Sequence, residues 1–292
     1  MYYNLITMQN YNEQHILTAE VAQLILLHHL YSQSGSHVLI FQGGTALRWC
    51  YGGSRFSEDL DFVFSGPLEK VDKVLAKALK NAEKEMLPHF GPGALTVTDK
   101  TVRSSSRKLM VSWQPEKVRR RIAIKLEFEP LSPQAIIATA NLVFSTLPSV
   151  SYLINKGSFR IPRPNSVLVT ETPAEILSDK VRALLERKYL KGRDFFDVWF
   201  LTGMLGVRLD QELVARKLAA YQWPFVAARG FDSFFAISEA QQAEMIKAIE
   251  QDLARFLPPQ TIAVHRATGY RAFLDAVDGL FRQLRDAGVH LP

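Results

Sequence analysis

The stretch that decides the fold is Val38-Leu39-Ile40-Phe41-Gln42-Gly43-Gly44-Thr45-Ala46-Leu47. The apolar run at residues 37–41 is typical of a short buried strand, and residues 45–51, which end at a second glycine pair, are typical of a short helix. Glycine lets a phosphate approach the backbone closely, and the N-terminus of a helix presents unpaired N–H groups to an anion. The stretch therefore predicts a nucleotide-binding turn formed by Gly43, Gly44 and Thr45.

A second stretch carries two aspartates separated by one residue: Ser57-Glu58-Asp59-Leu60-Asp61-Phe62-Val63-Phe64. Its alternation predicts a strand over residues 59–64, with Asp59, Asp61 and Val63 on one face. Carboxylate oxygens are the ligands that Mg²⁺ and Mn²⁺ prefer, and two such ions can bridge a triphosphate and an attacking oxygen. Fourteen residues, 45–58, separate the glycine pair from Asp59. A phosphate-binding turn followed by paired carboxylates favours a metal site for nucleotidyl transfer; the alternative is a hairpin with incidental carboxylates.

This combination resembles the DNA polymerase β-type nucleotidyltransferase superfamily, in which a glycine pair is followed by a spaced Asp-x-Asp. More narrowly, Gly43-Gly44-Thr45-Ala46-Leu47 with Arg55-Phe56-Ser57-Glu58-Asp59-Leu60-Asp61-Phe62 resembles the AbiEii/AbiGii toxin family, which includes the mycobacterial MenT-type toxins. The resemblance covers about residues 40–200. It implies an α/β (α+β) fold with a mixed sheet, and a cleft that binds a nucleoside triphosphate (NTP) and Mg²⁺ or Mn²⁺.

The superfamily resemblance also implies a third metal-binding carboxylate on a neighbouring strand. The run from Arg121 to Glu129 alternates between apolar and polar side chains, which predicts such a strand. Glu127 is the candidate because it lies opposite the apolar face, and Glu129 on the same face is the alternative. A surface carboxylate paired with Lys125 is the remaining interpretation of Glu127.

Further residues are expected to complete the site. Arg55 and Ser57 are expected to bind phosphate or to support the metal ligands, although Arg55 is equally compatible with a structural salt bridge. The toxin family has a lysine-bearing helix followed by Arg-Asp-x-x-Asp, which this chain matches with Lys180 and with Arg193-Asp194-Phe195-Phe196-Asp197. The resemblance implies that a partly exposed Lys180 contacts the triphosphate, and that Asp197 positions Lys180 or the acceptor. An ordinary amphipathic helix pair would carry the same residues.

The chain is predicted to form two domains with the active-site cleft between them: a nucleotidyltransferase core over residues 1–145 and a mainly helical part over 146–292. The segment 145–165, rich in proline, serine and asparagine, is the predicted boundary. Thr172-Pro173-Ala174-Glu175 predicts a helix start with a capping box. Helices are predicted at 13–31, 68–86, 194–204, 211–221, 238–256 and 270–287, and further strands at 94–102 and 108–114.

Positive charge is concentrated in one segment of the chain. The net charge is +6, and the run from Lys100 to Lys125 holds nine cationic residues against the single acid Glu116. Clustered positive charge attracts polyphosphates and nucleic-acid backbones, although a solvated sheet face would show the same pattern. We expect this basic run, and Arg119, Arg120 and Arg121 in particular, to bind a nucleic-acid acceptor.

A cytoplasmic protein without a membrane segment is expected from the remaining features. Cys50 is the single cysteine, no apolar segment is long enough to span a bilayer, and Met1-Tyr2-Tyr3-Asn4 lacks the start of a secretion signal. The resemblance implies an enzyme that transfers nucleotides from an NTP to an acceptor, expected to be the 3′ end of tRNA, and that is neutralised by a cognate antitoxin. The alternatives are transfer to a protein or small-molecule hydroxyl, or a non-catalytic nucleotide- or RNA-binding regulator.

Overall fold

The computed structural model of the chain describes residues 11–117 and 120–291. Within these ranges the helices are α1 (Glu13–Tyr31), α2 (Gly43–Cys50), α3 (Leu68–Phe90), α4 (Pro148–Asn155), α5 (Pro173–Glu186), α6 (Gly192–Trp199), α7 (Gln211–Leu218), α8 (Glu239–Leu253), α9 (Pro259–Ala267) and α10 (Arg271–Asp286). The strands are β1 (Leu39–Gln42), β2 (Asp59–Phe64), β3 (Gly93–Asp99), β4 (Arg107–Pro115), β5 (Ile122–Pro130), β6 (Thr139–Val143) and β7 (Val167–Glu171). Met1-Tyr2-Tyr3-Asn4 and Arg119, which entered the sequence-based predictions, lie outside the described residues.

The strands form one mixed sheet in the order β3-β4-β5-β2-β1-β7-β6, which confirms the predicted fold class. The central strand β2 runs antiparallel to β1 and parallel to β5. β7 follows the predicted boundary at residue 145, yet it pairs in parallel with β1 at Phe41 and Thr170. The sheet therefore takes strands from both sides of that boundary, and the division into domains 1–145 and 146–292 stays a prediction.

An apolar layer beneath one face of the sheet explains why the aspartates of β2 lie on the other. Phe62 stacks on Phe128 of β5 with ring centroids 4.8 Å apart, and Phe41 of β1 lies 5.3 Å from Phe62. Because side chains alternate along a strand, burying Phe62 leaves Asp59 and Asp61 on the opposite face. Val63, predicted to share the face of the aspartates, is fully buried there in a small cluster with Leu131 and Ala220.

Several elements differ from the sequence-based prediction. β6, α4, β7 and α9 were not predicted, and α4 lies inside the segment taken as the domain boundary. The predicted strand at 37–41 begins only at Leu39, because Ser36–Val38 forms a 3₁₀ turn. α2 begins at Gly43, two residues before the predicted start, since the positive φ of +77° at Gly43 turns the chain directly from strand into helix.

The last helices pack around an aromatic cluster. Phe196 and Trp199 of α6 contact Phe273 of α10 with ring centroids 5.5 and 5.2 Å apart, and α6 also packs against α8. This packing fixes α6, which carries Asp194 and Asp197, next to α5. Across the described parts of the chain, no helix has the length and apolarity needed to cross a membrane.

Candidate active site

One cavity of about 300 Å³ brings together most of the predicted site residues. It lies where the open face of the sheet meets the basic side chains of α5. The residues in its lining that the sequence singled out are Gly43, Gly44, Arg55, Ser57, Asp59, Asp61, Glu127, Glu129 and Lys180. Thr45 and Asp197 lie outside the lining, next to residues that belong to it. We call this cavity the donor cleft.

The register of the sheet places the predicted third carboxylate beside the aspartates. Asp61 of β2 pairs with Glu127 of β5, whereas Glu129 pairs with Val63, two residues farther along the strand. Residues paired across two strands point to the same face, so Asp61 and Glu127 are lateral neighbours. The register therefore favours Glu127 over Glu129 as the third member, and its role stays a prediction.

A lysine that was not predicted as a site residue lies among these carboxylates. The Lys125 ammonium is 2.8 Å from Asp59 Oδ2 and 2.7 Å from Glu127 Oε1, and Lys108 Nζ is also 2.7 Å from Glu127 Oε1. Burial raises the pKa of Glu127, but the hydrogen bonds and charges of Lys108 and Lys125 outweigh it and lower the pKa overall. Two of the three carboxylates are therefore joined by an ammonium group.

The pKa of Asp61 is shifted in the opposite direction to that of Glu127. The pKa of Asp61 is raised to about 7, mainly by burial and further by the negative charges of Asp59 and Glu127. Lys125 and Lys180 lower the same pKa by a smaller amount. A cation among the three carboxylates would relieve this repulsion, since a positive charge favours the ionised form of each.

The donor set is suited to a divalent metal ion, although its side chains do not yet enclose one. Asp59, Asp61 and Glu127 offer the oxygen ligands that Mg²⁺ and Mn²⁺ prefer, on neighbouring strands and on one face. As the side chains stand, the described ranges contain no group of three His, Cys, Asp or Glu residues arranged to hold a metal ion. The Lys125 ammonium contacts both Asp59 and Glu127 in this arrangement.

The glycine pair is required by close contacts within the cleft. A Cβ at Gly43 would lie 3.0 Å from Asp61 Oδ2, and a Cβ at Gly44 would collide with the Arg55 guanidinium. Thr45 is fully buried, and its hydroxyl donates a hydrogen bond to the backbone carbonyl of Asp59. The Thr45 side chain thus joins α2 to β2, while the N–H groups at the start of α2 are the donors that suit a phosphate.

Arg55 is a partner of Asp197 rather than a free cation. Its Nε and Nη2 donate to Asp197 Oδ1 and Oδ2 at 2.6 Å each, and Nη1 donates to the Phe56 carbonyl at 2.9 Å. Both side chains are almost fully buried. Arg55 was expected either to bind phosphate or to form a structural salt bridge. Its contacts with Asp197 are those of a structural salt bridge. Ser57 is also buried, and its carbonyl accepts a hydrogen bond of 2.6 Å from Gln23 Nε2.

Lys180 is buried, which corrects the expectation of partial exposure. Its ammonium lies 2.7 Å from Asp197 Oδ2 and 3.2 Å from Asp194 Oδ1, and the side chain is 9% exposed. Burial raises the pKa of Asp197, but Arg55 and Lys180 outweigh it and lower the pKa to about 2. Asp197 therefore stays ionised at neutral pH and forms an ion pair with Lys180; contact of Lys180 with a triphosphate stays a prediction.

Three arginines in the lining of the donor cleft were not predicted as site residues: Arg182, Arg187 and Arg193. Arg187 also forms an ion pair with the buried Asp194. The sequence carried a signal for two of them, since Arg187-Lys188-Tyr189-Leu190-Lys191-Gly192-Arg193 is a dense basic loop before the Arg-Asp-x-x-Asp motif. These arginines add positive charge to the lining of the donor cleft, which also contains Asp179 and Glu186.

A buried charge cluster sets the position of α5. Lys217 Nζ lies 2.5 Å from Glu171 Oε1 and 3.1 Å from both Glu175 Oε2 and Asp179 Oδ2. The Tyr221 hydroxyl lies 2.6 Å from Asp179 Oδ1. The cluster holds α5 against β7 and α7. It thereby places Lys180, which follows Asp179 on α5, above the sheet.

The predicted capping box at the start of α5 is only half formed. The Thr172 hydroxyl accepts a hydrogen bond from the Glu175 N–H, and Pro173 occupies the first turn, as predicted. The Glu175 carboxylate does not return to the Thr172 N–H; its Oε1 accepts from the Ala138 N–H at 2.9 Å, and its Oε2 is taken by Lys217. The Thr172 N–H donates instead to the Ala138 carbonyl at 3.0 Å, so the backbone donor that would complete the capping box is already used.

Comparisons with known proteins identify a family and two solved structures of similar fold. The profile of the family described as "Nucleotidyl transferase AbiEii toxin, Type IV TA system" matches residues 25–280. The crystal structure of JHP933 from Helicobacter pylori is similar, with a TM-score of 0.54 and 17% identity over 95% of this chain and 96% of that one. A second crystal structure from H. pylori, described as that of a candidate nucleotidyltransferase, has a TM-score of 0.52 and 16% identity over 96% of this chain and 100% of that one. No curated protein matches by sequence.

Proposed function

The chain belongs to the AbiEii family of nucleotidyltransferase toxins of type IV toxin–antitoxin systems, and we propose that it transfers a nucleotide from an NTP to the 3′ end of a tRNA. The reaction is proposed to require Mg²⁺ or Mn²⁺, and a cognate antitoxin is proposed to restrain it. The observation that supports this most directly is the donor cleft, where Asp59, Asp61 and Glu127 face Lys180 and the start of α2.

The reaction is an in-line displacement at phosphorus. The acceptor hydroxyl loses its proton to solvent as its oxygen forms a bond to the α-phosphorus of the NTP. The bond from that phosphorus to the oxygen bridging the α- and β-phosphates breaks, and pyrophosphate leaves. In this proposal Asp59, Asp61 and Glu127 hold the metal ions. When bound, such ions lower the pKa of the attacking hydroxyl and neutralise the leaving pyrophosphate.

The protein's own groups bind and orient the triphosphate. Backbone N–H groups at Gly43 and Gly44 donate to phosphate oxygens, and the N-terminus of α2 attracts their charge. Ion pairs with two aspartates fix the side chain of Lys180, so its ammonium contacts the phosphates with little further loss of conformational entropy. Arg187 and Arg193 widen the cationic surface toward the β- and γ-phosphates.

A nucleic-acid acceptor is favoured by charge. The net charge of +6 and the basic run through β4 and β5 attract an anionic backbone, whereas a protein or small-molecule hydroxyl has no such requirement. The non-catalytic alternative is less well supported, because the carboxylates, the glycine pair and Lys180 all line one cleft.

The test is transfer of label from each of the four α-³²P-NTPs in the presence of Mg²⁺, with total tRNA and with total protein as separate acceptors. We expect label in the tRNA, loss of transfer in EDTA, and loss in Asp59→Asn and Asp61→Asn. Asp275→Asn, an exposed change on α10, is the matched control and is expected to keep wild-type transfer. Label in protein alone would refute the tRNA acceptor, and folded Asp61→Asn with wild-type activity would refute the metal site.

A further inference from the structure

We infer that a second cavity, adjoining the donor cleft, binds the 3′-terminal nucleotide of a polynucleotide acceptor, an inference that rests on the proposed function. The cavity has a volume of about 380 Å³. It is lined by side chains from α1, the segment before β2, and β4 and β5, among them His15, Phe56, Met110, Arg120, Arg121 and Ala123. We call it the acceptor cavity.

The position of the acceptor cavity matches the direction of attack. Asp59 and Lys125 line both cavities, whereas Glu127 and Lys180 line the donor cleft and not the acceptor cavity. In-line displacement brings the nucleophile to the α-phosphorus from the side opposite the pyrophosphate. A hydroxyl entering through the acceptor cavity reaches Asp59 without crossing the triphosphate site, so the two substrates meet at the carboxylates.

The charges of the acceptor cavity suit a phosphodiester. Arg120 and Arg121 are exposed, and within the described part of the chain neither has an ion-pair partner. Guanidinium groups bind phosphate through two parallel hydrogen bonds. The one acid of the cavity apart from Asp59 is Glu58, and Arg255 neutralises it at 3.0 Å. The unpaired arginines therefore remain for an anionic backbone.

The remaining walls suit a sugar and a base. Phe56 and Met110 contribute apolar surface, and Ala19 and Ile124 extend it. Burial and the neighbouring charge of Arg120 lower the pKa of His15, so its imidazole is neutral at pH 7 and can exchange hydrogen bonds with a ribose hydroxyl. Two arginines beside an apolar pocket fit a nucleotide better than a serine or threonine side chain, which has neither a phosphate nor a base.

The experiment measures RNA binding and transfer with variants that alter this cavity alone. A 5′-fluorescein single-stranded RNA with a free 3′ hydroxyl is titrated by anisotropy across a salt series. Arg120→Gln/Arg121→Gln is expected to bind at least tenfold more weakly, with a salt slope about 1.4 units shallower because two phosphate contacts are lost. Lys77→Gln/Lys80→Gln, on exposed positions of α3, removes the same charge elsewhere and is the matched control.

A second variant separates shape from charge. Ala123→Trp fills the acceptor cavity without changing charge, and we expect a raised KM for RNA, an unchanged KM for NTP and an unchanged salt slope. If both cavity variants bind RNA within twofold of wild type while wild type labels RNA, this inference is wrong and the proposed function stands. If wild type labels protein and no RNA, the proposed acceptor and this inference both fail.

Discussion

Replacing Lys125 by methionine tests whether the ammonium between the carboxylates holds the place of a metal ion. Lys125 Nζ lies within 2.8 Å of both Asp59 and Glu127, and its side chain is 27% exposed. Two opposite charges at contact near a protein surface attract by about 4 kcal/mol before desolvation. After discounting for desolvation and solvent screening, we expect the metal-free variant to be less stable by about 1–2 kcal/mol.

The same substitution is expected to strengthen metal binding. A divalent ion no longer has to displace or lie beside the Lys125 charge, and about 1.4 kcal/mol of relieved repulsion corresponds to tenfold in affinity. Isothermal titration with Mn²⁺ measures the affinity directly, without reference to turnover. Thermal unfolding in EDTA is expected to show a midpoint lowered by about 2–5 °C, and excess Mg²⁺ should restore it.

The matched control is Lys108→Met. Lys108 Nζ contacts Glu127 at the same distance, 2.7 Å, but has no ion pair with Asp59 and is more exposed at 43%. Its effects on Mn²⁺ affinity and on the unfolding midpoint should therefore be smaller. The reasoning is refuted if the Lys125 variant binds Mn²⁺ no more tightly than wild type and unfolds in EDTA at the wild-type temperature.

The other predictions concern Lys180 and the acidic residues Glu127, Glu129 and Asp197. Lys180→Met should lower the rate of nucleotide transfer about tenfold or more. It should also lower the free energy of unfolding by about 1–3 kcal/mol, so its kinetics are measured well below its unfolding temperature. A wild-type kcat in this variant would contradict the role assigned to Lys180. Glu127→Ala should cost far more activity than Glu129→Ala; the reverse ranking exchanges their roles. Asp197→Ala should cost about 3–5 kcal/mol in urea unfolding at pH 7, because it strands the buried Arg55. The pKa of Asp197 is lowered from 3.8 to about 2, which contributes about 2 kcal/mol to the free energy of unfolding. This contribution is present above pH 4 and is lost as the pH falls toward 2. If the stability of Asp197→Ala falls with pH as steeply as that of wild type, the prediction is wrong.

Local spacing was enough to predict the strand and the helix that frame the candidate site. The strand of Asp59 and Asp61 and helix α1 begin and end at the predicted residues, because alternation and helical periodicity are properties of consecutive side chains. The family could likewise be predicted from two short stretches, residues 43–47 and 55–62, and the family profile confirms it. A close approach of backbone to phosphate or carboxylate demands glycine at a fixed place in the sequence.

What each side chain contacts was decided by the tertiary structure. Arg55 and Asp197 are 142 residues apart, and periodicity showed neither that they pair nor that Lys180 is buried beside them. The place of Lys125 between two carboxylates follows from the parallel register of β2 and β5, and that register depends on a strand order that no local pattern encodes. A sequence pattern specifies on which face of its strand or helix a residue lies. The packing of distant elements determines which charged side chains come into contact on that face. Because the interior has a low dielectric constant, those contacts strongly change the pKa values of the groups and the stability of the fold.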